Sequence, residues 1–392
     1  MRIAVITPWF PVPEIPYAGV FVAQQAEALS QHGHEVTVVH LDAQPFSGPR
    51  SAVEGDCRLL LTSSKAIDYR VPNFGPTIEY CRIPFLAPSS GGFFSRAEAA
   101  RLQLSSVFNA GWFTERFDVL HSHVTMPGGY AAIEREVPVV NTEHFTGIAR
   151  VLAQSDARTA FARVASRAQM VCVSSFLLSH INDHLTVPLN DIEVVPNLVD
   201  FAGLDYRQRT EIGNRWIYVG SLNHRKNVDR LLNVFHLFKR NLGDAHLRIV
   251  GTGELRAGLE DLARQLEIDK QVDFLGALNR NETAAEIGDS DLMVHLSQIE
   301  TFGLTAVEAI AAGVPVISLS NGGAAEAWGE IESFAGRILA ADSTDAEIAD
   351  DIIHLCSAPH TLDLKFASDW VRERYSPENV VSQLSSIYSR IT

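Results

Sequence analysis

The strongest constraint on the fold is an alternation that runs the length of the chain, in which short β-branched runs are followed by segments with helical spacing. Arg2–Thr7 leads into a loop containing Pro8, Pro11, Pro13 and Pro16, and Val20–His32 then places Val22, Ala26 and Leu29 at helical intervals. Gly33 ends that helix, and Glu35–Leu41 is Val-rich enough to be a strand buried on both faces. Further strands are predicted at Cys57–Leu61, Ile78–Pro84, Val119–Ser122, Val137–Asn141 and Val171–Ser174. Helices are predicted between them at Arg96–Phe108, Gly128–Glu136, Asp156–Ala168 and Phe176–His184. Strands alternating with helices pair in parallel through right-handed crossovers.

The second half repeats the theme. Strands are predicted at Trp216–Val219, Leu247–Val250, Val272–Leu275, Leu292–Leu296 and Val314–Leu319, and helices at Asn227–Arg240, Glu254–Leu266, Thr283–Gly288, Thr305–Ala312 and Glu347–Leu355. Val194–Gly213 has little periodicity and reads as a linker. The expected division is therefore residues 1–204 and 205–376, each an α/β domain with a doubly wound sheet. A last helix over 377–392, with Val380, Val381, Leu384, Ile387 and Tyr388 at helical spacing, is expected to pack back on the first domain. Two such sheets facing a central cleft would bind ligands at the carboxyl ends of their strands.

Composition removes several function classes. The net charge of −15 and the lack of a basic tract disfavour a nucleic-acid polymer as partner. Four scattered cysteines without a C-x-x-C pair fit neither a zinc ribbon nor a disulfide framework, which suits a reducing compartment. The first apolar run is too short for a signal peptide, and no apolar stretch is long enough to span a bilayer. The expected location is cytoplasmic, with peripheral membrane contact left open.

The most informative segment is Ser297–Glu308 (SQIETFGLTAVE), which follows a buried-looking strand and leads into an Ala-rich helix. Glu300 is expected just before the helix, with no backbone hydrogen bond constraining its direction. Gly303, Leu304 and Thr305 would present unpaired N–H groups at the positive end of the helix dipole, an anion site. Glu308 lies one to two turns inside. The segment thus reads as a diphosphate cradle between two carboxylates suited to sugar hydroxyls. The competing reading of this segment alone is a capping Glu300 and a solvated Glu308.

At this point the sequence resembles the retaining nucleotide-sugar glycosyltransferases of family four, which have the GT-B fold. Their E-x7-E hallmark is met by Glu300 and Glu308, with Phe302-Gly303-Leu304 inside it. The resemblance extends through Tyr17-Ala-Gly19-Val-Phe, His121-Ser-His123, Thr142-Glu-His144, Val195-Pro-Asn197, Val219–Asn227 (VGSLNHRKN), Val250-Gly-Thr-Gly-Glu254 and Val314-Pro-Val316, in the expected order. It implies that Glu300 holds hydroxyls of the donor sugar and Glu308 those of the ribose. Lys226 and Arg225 would contact the diphosphate and stabilise the leaving group, as preorganised cations should. Many relatives carry Arg directly after the strand glycine, whereas here Gly220 is followed by Ser221, so Arg225 would take over that contact. The resemblance places His144 against the donor sugar and Gly19 where a side chain would block a phosphate or an acceptor hydroxyl. His121 and His123, two apart on a strand, share a face and read as mainly structural.

Other signals are weaker. Asp289-Ser-Asp291 matches the D-x-D of metal-dependent transferases but falls at a helix end, where capping is the expected role. Gly251-Thr-Gly253 lacks the third glycine of a dinucleotide fingerprint, and no zinc spacing, Walker loop or nucleophile elbow occurs. The implied reaction is hexosyl transfer from a UDP- or GDP-sugar to a hydroxyl acceptor, with retention and with neither metal nor cofactor. A surface polysaccharide or a lipid-linked acceptor is expected by resemblance, its specificity set by loops such as Pro8–Val20 and Pro72–Pro76. The rival readings are a nucleotide-sugar epimerase, a sugar phosphorylase on the same frame, and a non-catalytic partner subunit.

Overall fold

In the computed structural model the chain forms two compact units, Met1–Leu198 with Pro377–Thr392, and Val199–Ser376. The described residues are 1–12, 15, 17–46, 78–88, 93–108, 116–189, 192–242 and 245–392. The predicted strand Cys57–Leu61 and the loop Pro72–Pro76 lie outside them.

The first unit holds β1 (Arg2–Thr7), β2 (Glu35–Phe46), β3 (Glu79–Pro88), β4 (Val119–His123), β5 (Val139–Glu143), β6 (Gln169–Cys172) and β7 (Glu193–Val194). All pairings are parallel, in the order β3-β2-β1-β4-β5-β6-β7. Every residue of β4 and β5 is buried, as expected of parallel strands covered on both faces. The last helix, Pro377–Ile391, inserts Val380, Val381, Leu384, Ile387 and Tyr388 into this unit's core beside Val22, Ala26 and Leu29 of the Val20–Gln31 helix.

The second unit holds β8 (Arg215–Val219), β9 (His246–Val250), β10 (Val272–Gly276), β11 (Leu292–His295), β12 (Val316–Leu319) and β13 (Gly336–Leu339). They form a parallel sheet in the order β10-β9-β8-β11-β12-β13. Its core is built on Trp216, Tyr218 and Phe235, with Trp216 and Phe235 in edge contact at 5.2 Å.

In both sheets the strand order reverses beside the first strand, between β1 and β4 and between β8 and β11. Loops leaving the carboxyl ends of strands at such a reversal form the natural ligand crevice of an open α/β sheet. The units part at Leu198/Val199, earlier than the boundary expected near Asp205. The cause is that the supposed linker is hydrogen-bonded into the second unit: Val199 N donates to Tyr375 O at 2.9 Å and Arg207 N to Ala312 O at 3.2 Å.

Candidate functional site

The loops after β8 and β11 bring together the two residues singled out for charge. Lys226 ends a short turn, His224–Lys226, and its ammonium pairs with the carboxylate of Glu300. Two cross-links hold the loops in place. Asn227 Nδ2 donates to Leu296 O at 3.0 Å, and Gln298 N donates to Arg225 O at 2.8 Å. Asn227 adopts a left-handed conformation (φ 50°), which Asn tolerates better than most residues, so the turn can aim Lys226 across at Glu300.

Glu300 is less free than the sequence suggested. Its N–H donates to Asn321 O at 3.1 Å and its carbonyl accepts from Gly323 N at 2.8 Å, so the loop after β12 fixes the backbone direction. A side chain at Gly323 would collide with Thr301, its Cβ 2.1 Å from the carbonyl, which accounts for the glycine. Behind the Glu300 carboxylate stands His295, with Nε2 at 3.5 Å. Burial pushes the Glu300 carboxyl up, but the Lys226 ammonium, His295 and hydrogen bonds from Lys226 and Ser297 outweigh it. The carboxyl is held below the usual range and ionised. Burial drives His295 down to about 4, so it is neutral.

The helix that follows spans Leu304–Ala311, and Gly303 precedes it at φ 91°. Among the described residues, no group accepts from the backbone N–H of Gly303, Leu304 or Thr305. Gly303 is itself packed, a Cβ there lying 2.9 Å from that of Ala324, so fold packing requires this glycine. Arg225 is half-buried and Ser221 exposed. Tyr218 donates its hydroxyl to Ser221 O at 3.0 Å, and Asn223 Nδ2 donates to Ser221 Oγ at 2.9 Å.

In the first unit, His144 directly follows β5 and is 8% exposed. Its ring lies 4.7 Å from that of Phe21, and Trp9 and Phe145 meet at 5.9 Å. Gly19 has φ 64°, and a Cβ there would sit 2.1 Å from Trp9 O. The demand for glycine is thus already met by the chain's own backbone, whatever ligand binds nearby. His121 and His123 do share a face of β4, their rings stacked at 4.6 Å.

Sequence reasoning passed over Glu143 as a residue in its own right. It is fully buried and accepts from Thr125 N (2.9 Å), His144 N (2.9 Å) and Phe145 N (2.8 Å). The available signal was a carboxylate at the end of an otherwise uncharged strand.

Comparison with known proteins fits this layout. The family described as Glycosyl transferases group 1 matches residues 207–373, and Glycosyltransferase Family 4 matches residues 18–202. The chain belongs to the group 1 glycosyltransferases. Its curated relatives include N-acetyl-alpha-D-glucosaminyl L-malate synthase of Bacillus anthracis, 28% identical over 70% of this chain and 75% of that one. Sucrose-phosphate synthase from Thermosynechococcus elongatus shares the fold with a TM-score of 0.75 at 18% identity, covering 100% of this chain and 98% of that one. HepE from Anabaena, solved with UDP and glucose, gives 0.71 at 16% identity, with 100% of both chains covered. The fold of this glycosyltransferase is GT-B, with two Rossmann-like units.

In this glycosyltransferase the D-x-D segment serves packing. Asp291 accepts from Gly213 N and Arg215 N, both at 2.9 Å, fixing the start of β8, and Asp289 pairs with Arg207. Gly251 and Gly253 are likewise explained by backbone proximity, since a Cβ on either would collide with Gly220 O or Leu222 O. Among the described residues, no helix is long and apolar enough to cross a membrane.

Glu308 lies half-buried on the Leu304–Ala311 helix. Burial pushes its carboxyl up to about 7, with Arg280 opposing and Asp200 reinforcing the shift. A carboxyl raised above its ordinary 4.5 adds most to stability below that value, and the contribution is lost as pH rises through about 7. Glu308→Gln is therefore expected to match the native melting temperature near about pH 5 and to exceed it near about pH 8. Melts across that range check this, and parallel pH profiles for the two proteins would count against the titration.

Proposed function

We propose that this glycosyltransferase moves a hexosyl group from a UDP- or GDP-sugar to a hydroxyl acceptor, with retention at the anomeric carbon and without a metal ion. The observation that carries the reading is the Lys226–Glu300 pair, set at the β8/β11 reversal beside the N–H groups of Gly303, Leu304 and Thr305, which have no acceptor among the described residues. A departing nucleoside diphosphate gains negative charge. Lys226, Arg225 and the helix N–H groups are the donors assigned to it, with Ser221 at the edge of the cradle. Glu300, ionised, accepts hydrogen bonds from hydroxyls of the transferred sugar, and Glu308 from those of the ribose. His144 hydrogen-bonds the transferred sugar, and Gly19 leaves room for the acceptor. In the front-face route the leaving phosphate accepts the proton of the acceptor hydroxyl. The acceptor belongs to surface polysaccharide or glycolipid synthesis, on the cytoplasmic side and, where it is lipid-linked, at the membrane face.

The reading is supported by the family assignment and by the solved complex of the similarly folded HepE with UDP and glucose. Melting in the presence of UDP, GDP, ADP and their sugars tests it. A ligand at about 100 times its dissociation constant stabilises the native state by about 2.7 kcal/mol, so one nucleotide class should raise the melting temperature by several degrees. The stabilising sugar nucleotide should then support transfer, with retention read from the anomeric proton coupling of the product. No stabilisation by any of them, or a requirement for inorganic phosphate, would overturn the proposal.

A further inference from the structure

His295 closes β11 and is only 1% exposed, so it stands behind the site and not in it. Its ring lies against that of Tyr218, 5.8 Å away and 25° from parallel, and Tyr218 is itself held by its bond to Ser221 O. One edge of the imidazole faces the site. Nε2 is 3.3 Å from Ser297 Oγ and 3.5 Å from Glu300 Oε1, the same oxygen that takes the Lys226 ammonium. The other edge finds no hydrogen bond. Nδ1 is buried without a partner among the described residues, and Ser318, which pairs with His295 in register on β12, has a hydroxyl equally without one.

These surroundings choose the tautomer. An ionised carboxylate only accepts hydrogen bonds. A bare Nε2 would therefore set its lone pair toward Glu300 Oε1, and the proton of the ring would sit on Nδ1 as a buried N–H with no acceptor. Such orphan N–H groups are among the rarest arrangements in native proteins. A proton on Nε2 removes both faults at once, because it lies between two oxygens able to accept it and leaves only a bare nitrogen unpartnered. An imidazolium would restore the orphan N–H. Ser297, accepting from Nε2–H, keeps its own proton for the Glu300 carboxylate.

We propose that His295, as its Nε2–H tautomer, is a positioning residue that pins Glu300 Oε1 together with Lys226, so that Oε2 is presented to the hydroxyls of the transferred sugar. This rests on the proposed function, in which Glu300 accepts from those hydroxyls. A carboxylate already fixed at one oxygen has less side-chain freedom to lose when the sugar arrives, which favours the bound complex.

Long-range proton–nitrogen correlation spectra of the 15N-labelled protein report the tautomer of each histidine. A proton on His295 Nε2 is expected, and one on Nδ1 overturns the inference whether or not transfer is observed. His295→Gln, whose amide N–H falls near the position of Nε2, is expected to keep kcat within about threefold of native, and His295→Leu to lower it roughly tenfold. Melting shifts separate this loss from a general loosening of the unit. The free nucleotide, UDP or GDP, should shift both variants as it shifts the native protein, whereas its sugar nucleotide should shift His295→Gln fully and His295→Leu less. Equal behaviour of the two variants, or loss of the response to free nucleotide in His295→Leu, overturns the positioning role. Should His295→Leu fail to fold, the native spectrum and His295→Gln decide. A native protein that responds to no nucleotide refutes the proposed function, and the spectrum then still decides the tautomer.

Discussion

Lys226→Ala and Glu300→Ala are each expected to lower kcat by about 10²–10³-fold, the range seen when one preorganised electrostatic group is removed from a transition-state site. The two variants should differ from the double variant in stability. Lys226 and Glu300 form one ion pair with side chains only 18% and 12% exposed. Removing either partner leaves a mostly buried charge uncompensated, at a cost of about 3 kcal/mol. Removing both takes away the pair and its desolvation penalty together, so the double variant should melt above either single one while remaining just as inactive. Melting temperatures and initial rates on the four proteins of this cycle separate a structural ion pair from a catalytic one. Full activity in both single variants would remove the site from the reaction.

The alternation of strands and helices was legible because parallel strands buried on both faces carry near-continuous apolar runs, as in β1, β4 and β5. The predicted helix Gly128–Glu136 shrinks to Tyr130–Ala132, preceded by the irregular turn Thr125–Gly129. There Asn141 crowds Gly129 so closely that a Cβ would lie 2.2 Å from its Oδ1, a tertiary constraint absent from local periodicity. Likewise β2 runs on to Phe46, past the predicted end at Leu41, because β3 pairs with it as far as Pro88. At the site, residue types were legible and partnerships were not. Glu300 and Lys226 stood out separately, but the loop cross-links that set them face to face join residues about seventy positions apart. The glycines at 19 and 303 read as ligand-facing in the sequence, whereas the chain's own packing already excludes side chains there. Glu308 was legible as the second acid of the motif, yet its raised pKa follows from burial that no sequence window contains.

Glu143→Ala is expected to be the most destabilising single change in the first unit outside its apolar core. One carboxylate oxygen accepts from both His144 N and Phe145 N, and the other accepts from Thr125 N. Burial pushes this carboxyl up, while bonds from Thr125, Phe145 and His144 pull it back. Truncation takes this acceptor from three N–H groups, two of them buried, and each such loss at a buried group costs about 1–3 kcal/mol. Partial relaxation brings the sum to roughly 3–5 kcal/mol, a fall in melting temperature of roughly 10 °C for a unit of this size. Glu143→Gln should fall between native and Ala: its carbonyl can serve His144 and Phe145, but its amide nitrogen then faces the N–H of Thr125, donor against donor. Because the same carboxylate pins the backbone on which His144 stands, Glu143→Gln should also lose activity out of proportion to its fraction unfolded. Thermal melts together with initial rates at a temperature where both variants remain folded test both halves of the expectation. A melting temperature unchanged in Glu143→Ala would mean that the segment from His144 to Phe145 is held without this carboxylate.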